Sequence, residues 1–145
     1  MIFLLDVNVL VALAWPEHNA HARVLNWFAQ TAQDGWASCP FTQAGFVRIL
    51  SNPSFSPNAA TPKEATRLLG ININHSGHRF WKDGITFAEA VQPFQAQLSG
   101  HQQVPDAYLL GLAVHQRGRL ATLDEKIAAL LVKNTDRSYL EIIRS

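Results

Sequence analysis

The chain has 145 residues, 48% of them hydrophobic and 16% charged, a length and balance that suit one globular domain and exclude a disordered chain. Twelve basic and eleven acidic residues leave a net charge of +1, which neither demands nor excludes a nucleic-acid partner, because only Lys and Arg gathered on one face would decide that. The single cysteine, Cys39, cannot close an internal disulfide, which fits a buried structural thiol in a reducing cytosol.

The opening MIFLLDVNVLVALAWPEH lacks the basic start of an export signal, and Asp6 and Asn8 interrupt its apolar run. No stretch reaches the roughly 20 apolar residues of a membrane span. Ile2 to Leu5 is wholly apolar and predicts a short strand buried on both faces. Val9 to Ala14 reads as a short helix ended by Trp15-Pro16, and His18 to Thr31 as a second, with Ala22, Leu25, Phe28 and Ala29 in a stripe. Trp36 to Cys39 is a strand, and Thr42 is expected to cap a helix running to about Leu50. Ser51 to Pro62, rich in Pro, Ser and Asn, reads as a surface loop between helices, and Thr61-Pro62 opens the next helix in the favoured order of cap and proline.

Further along, His78 to Trp81 is a possible third strand and Thr86 starts a helix through Ala90 and Phe94. Asp106 to Gln116 is the clearest helix, with Pro105 before it and Gly118 after. Leu120-Ala121 is a short strand, Asp124 opens a helix to about Lys133, and Tyr139 to Ile143 is the last strand. This alternation implies an α/β fold, a parallel sheet flanked by helices on both sides. In such sheets ligands bind beyond the carboxyl ends of the strands.

Three aspartates fall where that rule directs attention. Asp6 follows the first strand, Asp124 lies just after the Leu120-Ala121 strand, and Asp106 sits in the first turn of its helix. Each alone has an ordinary explanation, since an Asp there complements the helix dipole and satisfies free N–H groups for about 0.5–1 kcal/mol. Together they differ. Two carboxylates about 4 Å apart repel by roughly 4 kcal/mol at an effective dielectric of 20, so a fold that gathers three must protonate them, separate them or supply a cation. A hard divalent ion with oxygen ligands, Mg²⁺ or Mn²⁺, answers this most simply. Asn8 and Thr122, each two residues from an acid, suit supporting roles as groups that orient ligands, with ordinary capping as the alternative.

At these residues the chain resembles the PIN-domain ribonucleases, in particular the VapC-type toxins of bacterial toxin–antitoxin pairs. The resemblance rests on LLDVNVLVALAW (4–15), CPFTQAGFVRILSNP (39–53), HRFW (78–81), PDAYLLGLAV (105–114) and GRLATLD (118–124), in order along nearly the whole chain. It implies a single PIN-like domain over 1–145, a three-layer α/β/α sandwich with a central, mainly parallel sheet. It also implies a cytoplasmic Mg²⁺- or Mn²⁺-dependent endoribonuclease, a homodimer held inactive by an antitoxin. Position by position, Asp6, Asp106 and Asp124 match the metal-binding acids, and Asn8 and Thr122 their polar accompaniment. Many relatives carry a glutamate one turn into the Thr42 helix, where this chain has Gly45; Asp83 is the candidate substitute, against an ordinary solvated turn aspartate.

Arg48, near the expected mouth of the site, could hold phosphate bidentately, and Arg79, Lys82, Arg117 and Arg119 are further candidates for an RNA track. The six histidines show no pairing that argues for cyclic-phosphate chemistry, and the four tryptophans suit core packing better than base stacking. A haloacid dehalogenase-type phosphatase would need an aspartate where Asn8 stands. The competing reading from another class is a catalytically weak PIN scaffold that binds RNA or antitoxin without cutting, favoured only by Gly45.

Overall fold

A computed structural model describes residues 1–131 and 134–145. Five strands form one parallel sheet: β1 (Phe3–Leu5), β2 (Trp36–Ser38), β3 (His78–Phe80), β4 (Arg119–Thr122) and β5 (Leu140–Ile142), in the order β3-β2-β1-β4-β5. The chain builds outward from β1 to β3 on one side, then returns to lay β4 and β5 on the other. The crevice between the carboxyl ends of β1 and β4 is therefore the switch point of the sheet, the place where ligands of such folds bind. Register brings Leu5 beside Ala121, so the residues that follow, Asp6 and Thr122, emerge together.

Period-two alternation along β1 divides the core. Phe3 and Leu5 face a layer containing Val9, Leu10, Val24, Phe46, Leu50 and Leu69. Those residues come from α1 (Val7–Ala14), α2 (His21–Thr31), α3 (Pro40–Leu50) and α4 (Pro62–Ile73). Leu4 faces the opposite layer, with Val91, Phe94, Leu109, Leu110 and Leu112, supplied by α5 (Phe87–Val91), the tight turns after it and α6 (Val104–His115). The expected α/β/α sandwich is what the chain forms. Gly111 lets the second layer close: a Cβ there would stand 2.0 Å from the Ala90 carbonyl oxygen, so α5 and α6 touch backbone to backbone.

The element ends differ from the sequence reading in instructive ways. α3 begins at Pro40, not Thr42, because Pro40 needs no N–H partner in the first turn. Thr42 instead turns its hydroxyl back to accept the Cys39 N–H at 3.0 Å. Thr61 does cap α4, accepting the Glu64 N–H at 3.1 Å. The helix expected from Asp124 to Lys133 is 3₁₀-wound over Glu125–Leu130, which aligns Ile127 and Leu130, three apart, on one buried face; Lys133 lies outside the described residues. Cys39, Trp36 and Trp81 are buried as anticipated. Among the described residues no helix is long and apolar enough to cross a membrane.

Candidate active site

Asp6 is wired into both strands of the switch point. Its N–H donates to the Ala121 carbonyl at 2.9 Å, holding the residue against β4. One carboxylate oxygen accepts the Val7 N–H at 2.8 Å as the cap of α1, and the other accepts the Thr122 hydroxyl at 2.7 Å. That hydroxyl in turn accepts the Asp124 N–H at 3.1 Å, so one buried threonine positions two acids that are 118 residues apart in sequence. Asp124 also caps its own turn through the Lys126 N–H, 2.9 Å away. Among the described residues the Asn8 side chain is tied to neither a carboxylate nor its own turn; its oxygen accepts the Leu123 N–H at 3.3 Å and ties α1 to the exit of β4.

Asp106 comes from the other layer, in the first turn of α6. It shares with Asp6 a cleft of about 390 Å³ whose walls include Val7, Phe41, Gly45 and Arg48. Asp6 and Asp106 feel the neighbouring negative charges. Burial, then the negative charges of Asp6 and Asp124, push the Asp106 carboxyl up to about 6. Asp6, only 7% exposed, is raised above all by burial and further by Asp124, against the lowering effect of its Thr122 and Val7 hydrogen bonds. Among the described residues none of the three acids has a Lys, Arg or His ion-pair partner. Nor do any three His, Cys, Asp or Glu side chains there already stand in chelating array.

An all-oxygen donor set with no ion-pair partner among the described residues fits a hard cation that keeps several of its waters, as Mg²⁺ does. Asp6 and Asp106, which share the cleft, would hold it, with Asp124 alongside. Thr122→Val is expected to leave the Asp6 oxygen buried without its donor, lowering metal-dependent activity at the site about 10- to 100-fold and stability by about 1–3 kcal/mol. Initial rates and denaturant midpoints measure the two effects separately.

The remaining sequence candidates scatter. Arg48 lines the cleft as expected. Gly45 faces Val7, whose Cγ2 would lie 2.7 Å from a Cβ at that position; the first turn of α1 fills the space a glutamate stem would need. Asp83 does not join the acids: its carboxylate accepts the Tyr108 hydroxyl. Arg119, paired with Glu141 at 3.8 Å, and Arg117 sit at the amino end of β4, the edge remote from the site, whereas Lys82 follows β3 at the near edge. His78 bonds Ser38 at 2.7 Å and His21 the Ala12 carbonyl at 2.7 Å, both packing roles. Sequence reasoning passed over Phe41 and Val7 as lining residues, since both read as ordinary helix positions.

A protein-family model described as PIN domain matches residues 3–131, a span that holds all three acids. Ribonuclease VapC39 of Mycobacterium tuberculosis is 41% identical over 128 residues, covering 88% of this chain and 92% of that protein. The chain belongs to the VapC ribonuclease family of PIN-domain proteins. Ribonuclease VapC38 of the same organism is 44% identical over 127 residues, covering 88% of each chain. The fold is similar to that in a crystal structure of VapBC2 from Rickettsia felis bound to a DNA fragment from its promoter, with a TM-score of 0.58 at 15% identity over 92% of this chain and 98% of that one. The sandwich that the VapC resemblance implied is thus the fold of the chain.

Proposed function

We propose that this VapC-family chain is the toxin of a toxin–antitoxin pair, a divalent-metal-dependent endoribonuclease whose reacting centre is Asp6, Asp106 and Asp124, with Mg²⁺ or Mn²⁺ as the ion. One observation carries the reading: Asp6 and Asp106, each raised by burial and by the negative charge of Asp124, lie at the β1–β4 switch point, and among the described residues none of the three acids has an ion-pair partner. Relatives named ribonucleases and a neighbour titled as a VapBC complex support the substrate class and the antitoxin partner; a homodimer is part of the same reading.

A bound divalent cation supplies charge neutralisation at the phosphate and a water of lowered pKa. The protein's part is to present ionised oxygens where the fold makes ionisation costly. Thr122 holds one Asp6 oxygen in a fixed direction. The Asp124 backbone is fixed by the same hydroxyl and its Oδ1 by the Lys126 N–H, which leaves Oδ2 to orient an attacking water. Arg48, in the wall of the cleft, offers a guanidinium to a phosphate oxygen. Among the described residues no histidine lines the cleft, so the histidine pair that would carry 2′-hydroxyl attack is missing there, and the products expected from attack by water are a 5′-phosphate and a 3′-hydroxyl.

End-group analysis tests this. Cleavage of RNA in Mg²⁺ or Mn²⁺ should yield 5′-phosphates and cease in EDTA. Cyclic phosphates, or equal cutting in EDTA, would overturn the metal mechanism; tight RNA or antitoxin binding without cleavage would replace it with the scaffold reading.

A further inference from the structure

Next to the carboxylate cleft lies a set of aromatic rings that the chemistry above does not use. Phe41, in the first turn of α3, is 43% exposed, and Phe87, the first residue of α5, is 46% exposed. Between them stands Tyr108 of α6, two residues beyond Asp106. Its ring centroid is 6.1 Å from that of Phe41, at an interplanar angle of 59°, and 6.4 Å from that of Phe87, nearly parallel at 19°. The Tyr108 hydroxyl is tied to Asp83, which fixes the central ring. Two large rings left to water at helix starts are unfavourable unless something covers them.

From this we infer a base-binding platform: Phe41, Tyr108 and Phe87 take an unpaired nucleobase of the RNA whose phosphate enters the carboxylate cleft. The inference rests on the nuclease reading of that cleft. Phe41 belongs to both places, since it also walls the cleft that holds Asp6, Asp106 and Arg48. A base against Phe41 therefore keeps its own phosphate within about one nucleotide of the acids. Charge agrees with the occupant. Arg48 has no ion-pair partner among the described residues, so the site offers a ring face and a free guanidinium side by side, the pair a nucleotide requires. Stacking needs an unstacked base, so the platform selects single-stranded loops over duplex. It also gives Asp83 a purpose, since its carboxylate holds the central ring of the platform.

The test uses single-stranded RNA with 2-aminopurine placed at successive positions, bound in EDTA to the Asp106→Asn chain so that no cleavage intervenes. Stacking quenches the probe. One position should be quenched, and Phe41→Ala/Phe87→Ala should abolish that quench and weaken binding about 5- to 100-fold. Tyr108→Phe, which keeps the ring, should retain most of both, and duplex RNA should bind no more tightly to the intact platform than to the double variant. Quenching and affinity unchanged in the double variant would overturn the platform. So would a double variant that sediments as a monomer where the parent is a dimer while RNA affinity stays the same, since the rings would then be a protein contact. Because these readouts involve no cleavage, a wild-type chain that failed to cut RNA would sink the nuclease reading on separate evidence.

Discussion

Asp106→Asn should destroy RNA cleavage and at the same time raise the melting temperature of the metal-free protein. The two effects share a cause. Asp106 titrates at about 6 in the fold against 3.8 for a free side chain, so the folded state holds a proton that the unfolded chain has released between those values. That contribution to stability is fully present below about pH 4 and is lost as pH rises through about 6. Above it the folded protein carries a carboxylate it would rather not ionise, at a cost of about 1–2 kcal/mol once solvent screening at this half-buried position is allowed for. Asparagine removes the cost, which corresponds to about 3–8 °C in Tm for a domain of this size, and removes an oxygen anion of the proposed reacting centre. Saturating Mn²⁺ should invert the ranking, stabilising the wild type and leaving the variant nearly unmoved. Thermal melts at pH 7.5 and pH 4.5, with and without Mn²⁺, check all of this; a helix-start aspartate with only a capping role would show the opposite sign, losing stability on substitution.

Gly45→Glu, which would add the acid that the resemblance led one to look for, is expected to be damaging. A Cβ at 45 stands 2.7 Å from Cγ2 and 3.3 Å from Cγ1 of Val7, so α3 must retreat from α1 or Val7 must leave its rotamer. Overpacking of this kind costs about 1–3 kcal/mol. The displacement falls on the residue beside Asp6, so cleavage should drop as well, by about 10-fold or more, as misplacement of a reacting group does. Val7→Ala should be close to neutral alone and should restore much of the stability in combination. The coupling between the two positions, read from denaturant midpoints of the single and double variants, should reach about 1 kcal/mol. Additive effects would mean that Val7 does not determine what position 45 can hold.

How much of this was legible in the sequence depends on the distance over which each feature acts. Asp6, Asp106 and Asp124 could be picked out because each stands at a strand exit or helix start that local pattern marks. That they come near one another follows from the strand order and the packing of α6, which hydrophobic pattern does not encode. The Thr122–Asp6 hydrogen bond joins residues 116 positions apart, and Thr122 could be suspected only of orienting its near neighbour Asp124. The absence of a glutamate at 45 was visible, but its reason was not, because Val7 and Gly45 meet only after α1 and α3 pack. Asp83 could be named only as a candidate, because its partner Tyr108 lies 25 positions away in α6. Local chemistry misled at α3, where a threonine suggested the cap and Pro40 set the start two residues earlier.

The central claim, that the three acids form one reacting centre, is tested most directly by initial rates of RNA cleavage in Mn²⁺ for the wild type beside Asp6→Asn, Asp106→Asn and Asp124→Asn. Each variant should remain folded by circular dichroism and lose about 10²-fold or more in rate. Wild-type cleavage by any one of them would contradict the assignment of that acid, and wild-type cleavage by Asp6→Asn would contradict the site as a whole.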